Sequence, residues 1–186
     1  MAKTDVMIDL ETLATSTDAA ILTIGAVRFD PLSDVEFSEN DKFYVKVDLD
    51  SCNDINLKVS DATIEWWATQ SEEAREEAFS PNGRLRVEDA FADLYKFCWG
   101  AERVWSNGAA FDVVICETVF NRIHKKVPWN FWQVRDVRTI FDLGINPNRP
   151  KVTAHNALAD AEAQARGVQT VCKTLKVNGL TPFIKY

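Results

Sequence analysis

The sequence lacks several features that would mark a secreted, membrane-spanning or metal-thiolate protein. Its four cysteines are widely separated, and no two of them form a Cys-x-x-Cys pair. Isolated cysteines among apolar residues predict reduced core thiols and argue against a zinc site or a disulfide framework. No apolar stretch approaches the roughly 20 residues that span a bilayer, and the N-terminus has no charged-then-apolar leader. These absences predict a cytoplasmic protein that does not contact a membrane.

An excess of positive charge is also missing. The chain has 21 lysines and arginines against 28 aspartates and glutamates, which gives a formal net charge of −7. This balance argues against broad electrostatic binding to nucleic acid. It leaves room for a small site in which metal ions supply the positive charge. The length of 186 residues and the hydrophobic fraction of 46% predict one globular domain over residues 1–186.

What the chain does have is a short apolar stretch from Asp5 to Thr12, DVMIDLET, with two carboxylates set into it. Its length and β-branched members predict a largely buried strand. Residues i and i+2 of a strand point to the same face, so Asp9 and Glu11 are expected to lie side by side. Buried neighbouring carboxylates repel each other unless a divalent cation compensates them. Two acids at the frayed end of a strand are the alternative, because Asp-x-Glu occurs twice more in this sequence.

The rest of the chain predicts an α/β layered domain, in which three strands precede alternating helices and strands. Further strands are expected at Ala20–Phe29, at Lys42–Leu49 antiparallel to it, at Arg103–Ser106 and at Phe131–Arg135. Helices are expected at Asp61–Gln70, Val87–Trp99, Asp112–Lys125, Val137–Leu143 and Asn156–Leu175. A further short helix is expected to begin after Ser71, which would be its N-cap. We expect irregular chain at Asp50–Val59 and a loop at Asn146–Thr153.

Three residues far from the first strand add to its two carboxylates. Asp112 follows Phe111 at the start of a predicted helix, Asp160 lies in the first turns of the last helix, and His155 precedes Asp160 by five residues. Each has an ordinary alternative when it is taken alone. Acids are common in the first turn of a helix, where they interact favourably with the helix dipole.

Taken together, these residues resemble the DEDDh branch of the DnaQ-like 3′–5′ exonucleases, which have a ribonuclease H-like fold. The matching residues are Asp9, Glu11, Asp112, His155 and Asp160. The resemblance covers nearly the whole chain. Two middle segments, IEWWATQSEEAR and RDVRT, are similar to phage exonuclease A-type deoxyribonucleases and to bacterial exoribonucleases that trim adenylate-rich RNA. The resemblance implies a mixed central sheet flanked by helices in a single domain.

The expected chemistry is metal-dependent hydrolysis of phosphodiester bonds from a 3′ end, releasing nucleoside 5′-monophosphates. Two divalent ions, Mg²⁺ or Mn²⁺, can activate a water and stabilise the leaving oxygen. Asp9 is expected to bridge both ions, Glu11 and Asp160 to complete the first ion, and Asp112 to hold the second. An imidazole can accept a proton near neutral pH, so His155 is the expected general base.

Residues that meet the nucleic acid are expected around this set. The resemblance implies that Thr12 and Leu13 contact the 3′-terminal nucleotide, and aromatic rings can stack on bases. For at least one of the adjacent residues Trp66 and Trp67, a place in the core is the preferred interpretation. The lysines and arginines among the candidates could contact phosphates, and the alternative for each is a solvated face or a structural ion pair. The full set of candidates is Thr12, Leu13, Trp66 or Trp67, Asn107, Phe111, Lys125, Lys126, Arg135 and Arg138.

The polymer that is the substrate, and whether the chain is catalytically active, both stay open at this point. The substrate is expected to be single-stranded nucleic acid with a free 3′ end, either DNA or RNA. From another class, the chain could be a catalytically idle nucleic-acid-binding or assembly module on the same fold. The intact acids and His155 speak against idleness, because buried carboxylates without a metal cost stability. A homodimer is suggested by the resemblance alone.

Overall fold

Six strands form one mixed sheet in the computed structural model, which describes residues 3–145 and 155–180. The strands are β1 (Asp5–Thr12), β2 (Ile21–Phe29), β3 (Lys42–Val47), β4 (Arg84–Leu85), β5 (Arg103–Ser106) and β6 (Val134–Asp136). Their order in the sheet is β4-β3-β2-β1-β5-β6. The first three strands pair antiparallel as a meander, whereas β5 runs parallel to β1 and to β6. The mixed sheet predicted from the sequence is therefore confirmed.

Helices cover both faces of this sheet. They are α1 (Leu49–Asp54), α2 (Asp61–Ala68), α3 (Glu72–Phe79), α4 (Val87–Cys98), α5 (Asp112–Arg122), α6 (Val137–Phe141) and α7 (Ala157–Thr174). The larger core joins one face of the sheet to α4 and α5, and a smaller core joins the other face to α6 and α7. Within the described ranges, no helix has both the length and the hydropathy to cross a bilayer.

Strand β1 lies in the middle of the sheet and contributes to both cores. Val6, Ile8 and Leu10 enter the larger core, while Met7 enters the smaller one beneath α7. The pleat of a strand puts alternate residues on the same face, so Asp9 and Glu11 continue the face of Met7. The two carboxylates thus lie on the α7 side, at the carboxyl end of the central strand.

A glycine in the neighbouring strand lets α7 approach this face closely. Gly25 of β2 is paired with Asp9 in the sheet. A Cβ atom built on Gly25 would lie 2.1 Å from the main-chain carbon of Ala157, the first residue of α7. A strand interior that meets another backbone in this way requires glycine. The missing side chain brings the first turn of α7 down beside Asp9.

Some local predictions need correction. The stretch predicted to be irregular from Asp50 contains helix α1, which Asp48 caps by accepting the Ser51 N–H at 2.8 Å. The short strand β4 was not predicted, and the strand expected from Phe131 starts only at Val134, after a 3₁₀ turn. The predicted loop at Asn146–Thr153 lies outside the described residues. The four cysteines are free and buried, as predicted.

Candidate active site

Three carboxylates converge where β1 meets the start of α7. Asp9, Glu11 and Asp160 each offer an oxygen, and these oxygens lie within 4.8 Å of one another. Glu11 is only 7% exposed, while the other two are partly exposed. Three ionised carboxylates at this spacing repel strongly in a partly dry environment. The cluster is therefore a candidate site for a divalent cation, which prefers such hard oxygen ligands.

The chain just before α7 holds Asp160 in place. Asn156 caps the helix by accepting the Ala159 N–H at 2.9 Å. The main-chain N–H of His155 donates to Oδ2 of Asp160 at 3.0 Å. His155 itself has a positive φ of 66°, a backbone conformation that costs a residue with a side chain some free energy. The backbone of His155 is thus tied directly to the Asp160 carboxylate.

Asp112, the fourth predicted acid, begins α5 and is held by the central strand. It is 5% exposed, and its Oδ1 accepts the main-chain N–H of Leu10 at 3.3 Å. It lies outside the close three-acid group, but its charge still acts on both Asp9 and Glu11. The structure thus brings the four predicted carboxylates into one neighbourhood, with Asp112 approaching from the opposite face of the sheet.

Burial and mutual repulsion raise the pKa values of these acids. Burial, followed by the charges of Asp160 and Asp112, raises the pKa of Glu11 to about 8. Burial and the charge of Asp112 hold the pKa of Asp9 well above its ordinary value. Burial raises the pKa of Asp112 to about 6, although the Leu10 N–H opposes that rise. A bound cation would relieve this repulsion, so the donor set fits a divalent metal.

A buried glutamine touches the cluster and was missed in the sequence. Gln164 lies one turn after Asp160 on α7, and its Nε2 donates to Oδ1 of Asp9 at 2.7 Å. Gly25, which lets α7 approach, was missed as well. Both have a weak signal in the sequence: a glycine inside an apolar strand, and a polar residue four positions after Asp160.

A cavity of about 430 Å³ opens beside the acids. Of the predicted nucleotide contacts, Thr12, Trp66 and Phe111 line this cavity together with Glu11. Leu13 does not appear in its lining and is buried in the larger core. The cavity is therefore continuous with the acidic cluster through Glu11.

The two adjacent tryptophans have different roles in the fold. Trp67 is 2% exposed and donates its Nε1 hydrogen to the Thr12 carbonyl at 3.0 Å, so it belongs to the core. Trp66 is 43% exposed and meets the His155 ring edge to face, with centroids 4.8 Å apart. The Trp67 ring lies 5.9 Å from the same imidazole. His155 is thus held against an aromatic wall at the edge of the cavity.

Of the predicted phosphate contacts, Arg138 lies closest to the acids. Its guanidinium covers Gly108, where a Cβ atom would lie 2.6 Å from Nη1, and its charge lowers the pKa of Asp112. Asn107 is partly buried in the same turn. Asp136 ties that turn to α6 by accepting the N–H groups of Ala109 and Arg138.

The other predicted cations are placed differently. Arg135 donates to the main-chain carbonyls of Trp132 and Val134 at 2.7 and 2.8 Å, within its own segment. Lys125 and Lys126 follow the far end of α5, where they line a second cavity of about 380 Å³. The 11 residues of α5 separate them from Asp112 by about 16 Å. The two lysines therefore lie away from the acidic cluster, and Arg135 is held within its own segment.

Comparison with known proteins agrees with this geometry. A model of the 3′–5′ exoribonuclease Rv2179c-like domain matches residues 4–172. The exodeoxyribonuclease of Enterobacteria phage T4 is 28% identical over 159 residues, covering 73% of this chain and 69% of the phage protein.

Two solved structures share the fold at 16% identity. Exonuclease X in complex with 5′ overhanging duplex DNA has a TM-score of 0.55 and matches over 96% of this chain and 95% of its own. The nuclease domain of 3′hExo, a DEDDh family member bound to rAMP, has a TM-score of 0.53 over 98% and 96% of the two chains. The ribonuclease H-like fold is thereby confirmed. Because the family model spans almost the whole sequence, this chain belongs to the Rv2179c-like 3′–5′ exoribonuclease domain family and is a 3′–5′ exonuclease.

Proposed function

We propose that the protein removes nucleotides from the 3′ end of single-stranded nucleic acid and releases nucleoside 5′-monophosphates. The observation that carries this proposal is the convergence of Asp9, Glu11 and Asp160 beside a cavity with an aromatic wall. Residues 1–186 act as one exonuclease domain. The cavity is large enough for a small ligand, for which pockets of about 300–1,000 Å³ are usual.

Asp9, Glu11, Asp160 and Asp112 would hold two divalent ions, Mg²⁺ or Mn²⁺. Such ions supply an activated water and a stabilised leaving oxygen for phosphodiester hydrolysis. The protein's own part is to keep the carboxylates close and partly dry. The hydrogen bonds that hold Asp112 and Asp160 contribute to this, because they use main-chain N–H groups of Leu10 and His155. Main-chain donors keep the two acids oriented in the absence of substrate.

His155 is the proposed general base. Its backbone is tied to Asp160, and its ring packs against Trp66 and Trp67. The two contacts restrain the imidazole against Trp66, which lines the same cavity as Glu11. A restrained imidazole at this position can take a proton from a water that attacks a phosphodiester.

The cavity supports a preference for an unpaired end. Trp66 and Phe111 offer aromatic surface on which a base can stack, and they line the cavity together with Thr12 and Glu11. A base stacked in such a cavity must leave a duplex first, which costs a few kcal/mol by analogy with base extrusion. A net charge of −7 also limits the number of phosphates that the surface can neutralise. The enzyme is therefore expected to grip a short single-stranded end.

The choice between DNA and RNA needs a direct test. The matching family model is described as an exoribonuclease domain, whereas the phage T4 relative is an exodeoxyribonuclease. We propose to digest matched single-stranded DNA and RNA oligonucleotides, labelled at the 5′ end, with Mg²⁺, Mn²⁺ or EDTA. The expected result is a ladder that shortens from the 3′ end and requires the metal. The polymer that is degraded faster identifies the preferred substrate.

The same experiment separates the enzyme from an idle binding module. An idle module would bind the oligonucleotide and leave it intact at every metal concentration. Asp9→Asn serves as the control for contaminating nucleases, because it preserves the shape of the side chain. Full activity in excess EDTA, or equal activity of Asp9→Asn, would contradict the proposed function.

A further inference from the structure

Helix α7 buries two glutamines, and only one of them reaches the acids. Gln164 and Gln169 are each 5% exposed, although glutamine is usually a surface residue. Nε2 of Gln164 donates to Oδ1 of Asp9 at 2.7 Å. Nε2 of Gln169 donates to the main-chain carbonyl of Asp30 at 3.0 Å. Of the two glutamines, Gln164 therefore donates to a carboxylate, whereas Gln169 donates to a backbone carbonyl.

The position of Gln164 follows from the helix that delivers Asp160. Residues four apart on a helix share a face, so the face that carries Asp160 to the cluster also carries Gln164. Asp9 is therefore contacted from α7 twice, by a carboxylate that repels it and by an amide that binds it. The amide contact fixes the orientation of the Asp9 carboxylate, because a side chain with a free terminal torsion would otherwise turn away from Glu11 and Asp160.

The second polar atom of this amide has no protein partner among the described residues. Oε1 of Gln164 is buried and accepts no hydrogen bond from them. A buried acceptor without a donor is costly, and such atoms are usually satisfied by water or a ligand. The amide nitrogen already touches Asp9, so this oxygen lies next to the proposed metal site. Magnesium keeps several of its waters when it binds to protein, and such waters are hydrogen-bond donors.

We propose that Gln164 is a positioning residue of the metal site. Its Nε2 orients Asp9 for metal binding, and its Oε1 accepts a hydrogen bond from a metal-bound water. This inference rests on the proposed function, since it assumes that the acidic cluster binds a divalent ion. Residues that orient metal ligands typically contribute 10–100-fold to affinity or activity.

Gln169 provides the matched control for a purely structural role. It has the same residue type, helix and burial, and its partners are Asp30 and Arg166 instead of an acid of the cluster. We would compare Gln164→Met with Gln169→Met, because methionine keeps the length of the side chain and removes the amide. Gln169→Met should lose at least as much stability in denaturant as Gln164→Met, because it removes hydrogen bonds with both Asp30 and Arg166, whereas Gln164→Met removes one.

The decisive measurement is Mn²⁺ binding to the intact protein without nucleic acid, by calorimetry and by the paramagnetic signal of free Mn²⁺. Gln164→Met should bind Mn²⁺ about 10–100-fold more weakly than the wild type, and Gln169→Met should bind it normally. Exonuclease activity of Gln164→Met should recover as Mn²⁺ is raised, with KM for the oligonucleotide unchanged. Gln164→Asn, which keeps the amide but shortens its reach, should weaken Mn²⁺ binding as well and covers the case in which the methionine variant fails to fold.

Unchanged Mn²⁺ affinity in a folded Gln164 variant would overturn this inference and leave the proposed function intact. A loss of activity that no concentration of Mn²⁺ restores would also overturn it. Absence of Mn²⁺ binding by the wild type would overturn the proposed metal site itself. The two failures are therefore distinguishable.

Discussion

The two ends of β1 place carboxylates on the same face in opposite surroundings. At the start of the strand, Asp5 is fully buried and accepts hydrogen bonds from Arg103 at 3.1 Å and from the Trp105 indole at 2.7 Å. Toward its other end, Asp9 and Glu11 face two more carboxylates, those of Asp112 and Asp160. At the first end Asp5 pairs with the positive charge of Arg103, whereas at the second end several carboxylates lie close together.

The comparison shows how burial and charge combine. Burial raises the pKa of Asp5 even though Arg103 and Trp105 oppose that rise. Around Asp9 and Glu11 the neighbouring charges act in the same direction as burial, and the pKa of Glu11 reaches about 8. The Asp5 end is a complete structural pair. At the Asp9 end, ionised carboxylates destabilise the folded protein, and a divalent cation would compensate their charge.

The largest contrast between the two ends should appear in catalysis. Asp9→Asn should lower kcat/KM by about 10³-fold or more, equivalent to ~4 kcal/mol of transition-state stabilisation. Asp5→Asn, measured below its melting temperature, should leave kcat/KM close to the wild-type value. Initial rates on a labelled oligonucleotide would check both variants. A crippling effect of Asp5→Asn in folded protein would mean that the structural pair takes part in the chemistry.

The second contrast separates proton transfer from metal binding at the acidic end. His155→Asn should lower kcat by about 10²–10⁴-fold, because asparagine cannot act as the base. The variant should keep the rise in melting temperature caused by Mn²⁺, since the carboxylates remain. His124→Asn is the matched control, because His124 also has a positive φ and asparagine tolerates it. If His124→Asn proved to be the damaging change, the assignment of the base would be wrong.

The third contrast is in stability, and its sign should reverse along the strand. Asp5→Asn removes the buried charge that Arg103 contacts at 3.1 Å and should lower the free energy of unfolding by about 3–5 kcal/mol. Glu11→Gln replaces a buried carboxyl group whose ionisation the fold opposes, and should raise that free energy in metal-free protein by about 1–3 kcal/mol at pH 8. Urea denaturation in EDTA measures both. Two changes of the same sign would contradict the comparison.

The last contrast is in the pH dependence of stability. Folded protein retains the Glu11 proton up to about pH 8, whereas the unfolded chain loses it near the ordinary value of 4.5. Metal-free protein should therefore become less stable as pH rises from about 5 to 8, by up to ~1.4 kcal/mol per pH unit for one proton. Glu11→Gln should flatten this slope. Saturating Mg²⁺ should flatten it too, and a slope unaffected by both changes would rule out Glu11 as its source.

Much of the fold follows from local pattern. The bounds of β1 and β5 agree with the prediction, and α4, whose apolar residues recur at helical spacing, ends within one residue of it. Helix α1 differs from the prediction because the predicted strand Lys42–Leu49 runs through Asp48, the residue that caps the helix. Strand β4 has only two residues, and it exists because it pairs with β3.

The sequence does not determine which of the adjacent residues Trp66 and Trp67 is buried. The sequence predicts a place in the core for at least one of Trp66 and Trp67, and neighbouring residues on a helix point about 100° apart. Which one enters it depends on where α2 meets the rest of the fold, and in the structure Thr12 receives the Trp67 indole. That contact joins residues far apart in the chain, and no local pattern encodes it.

The sequence by itself determined the kinds of residue available for the chemistry and their order: two acids on an early strand, one at the start of a middle helix, and a histidine before a late acid. Only the tertiary structure decided how they meet. Gly25 lets the backbone of α7 reach the sheet, and Gln164 then contacts Asp9 across 155 positions of sequence. The physical reason is that side-chain type and local periodicity are properties of short segments, whereas close approach and burial arise when distant segments pack together.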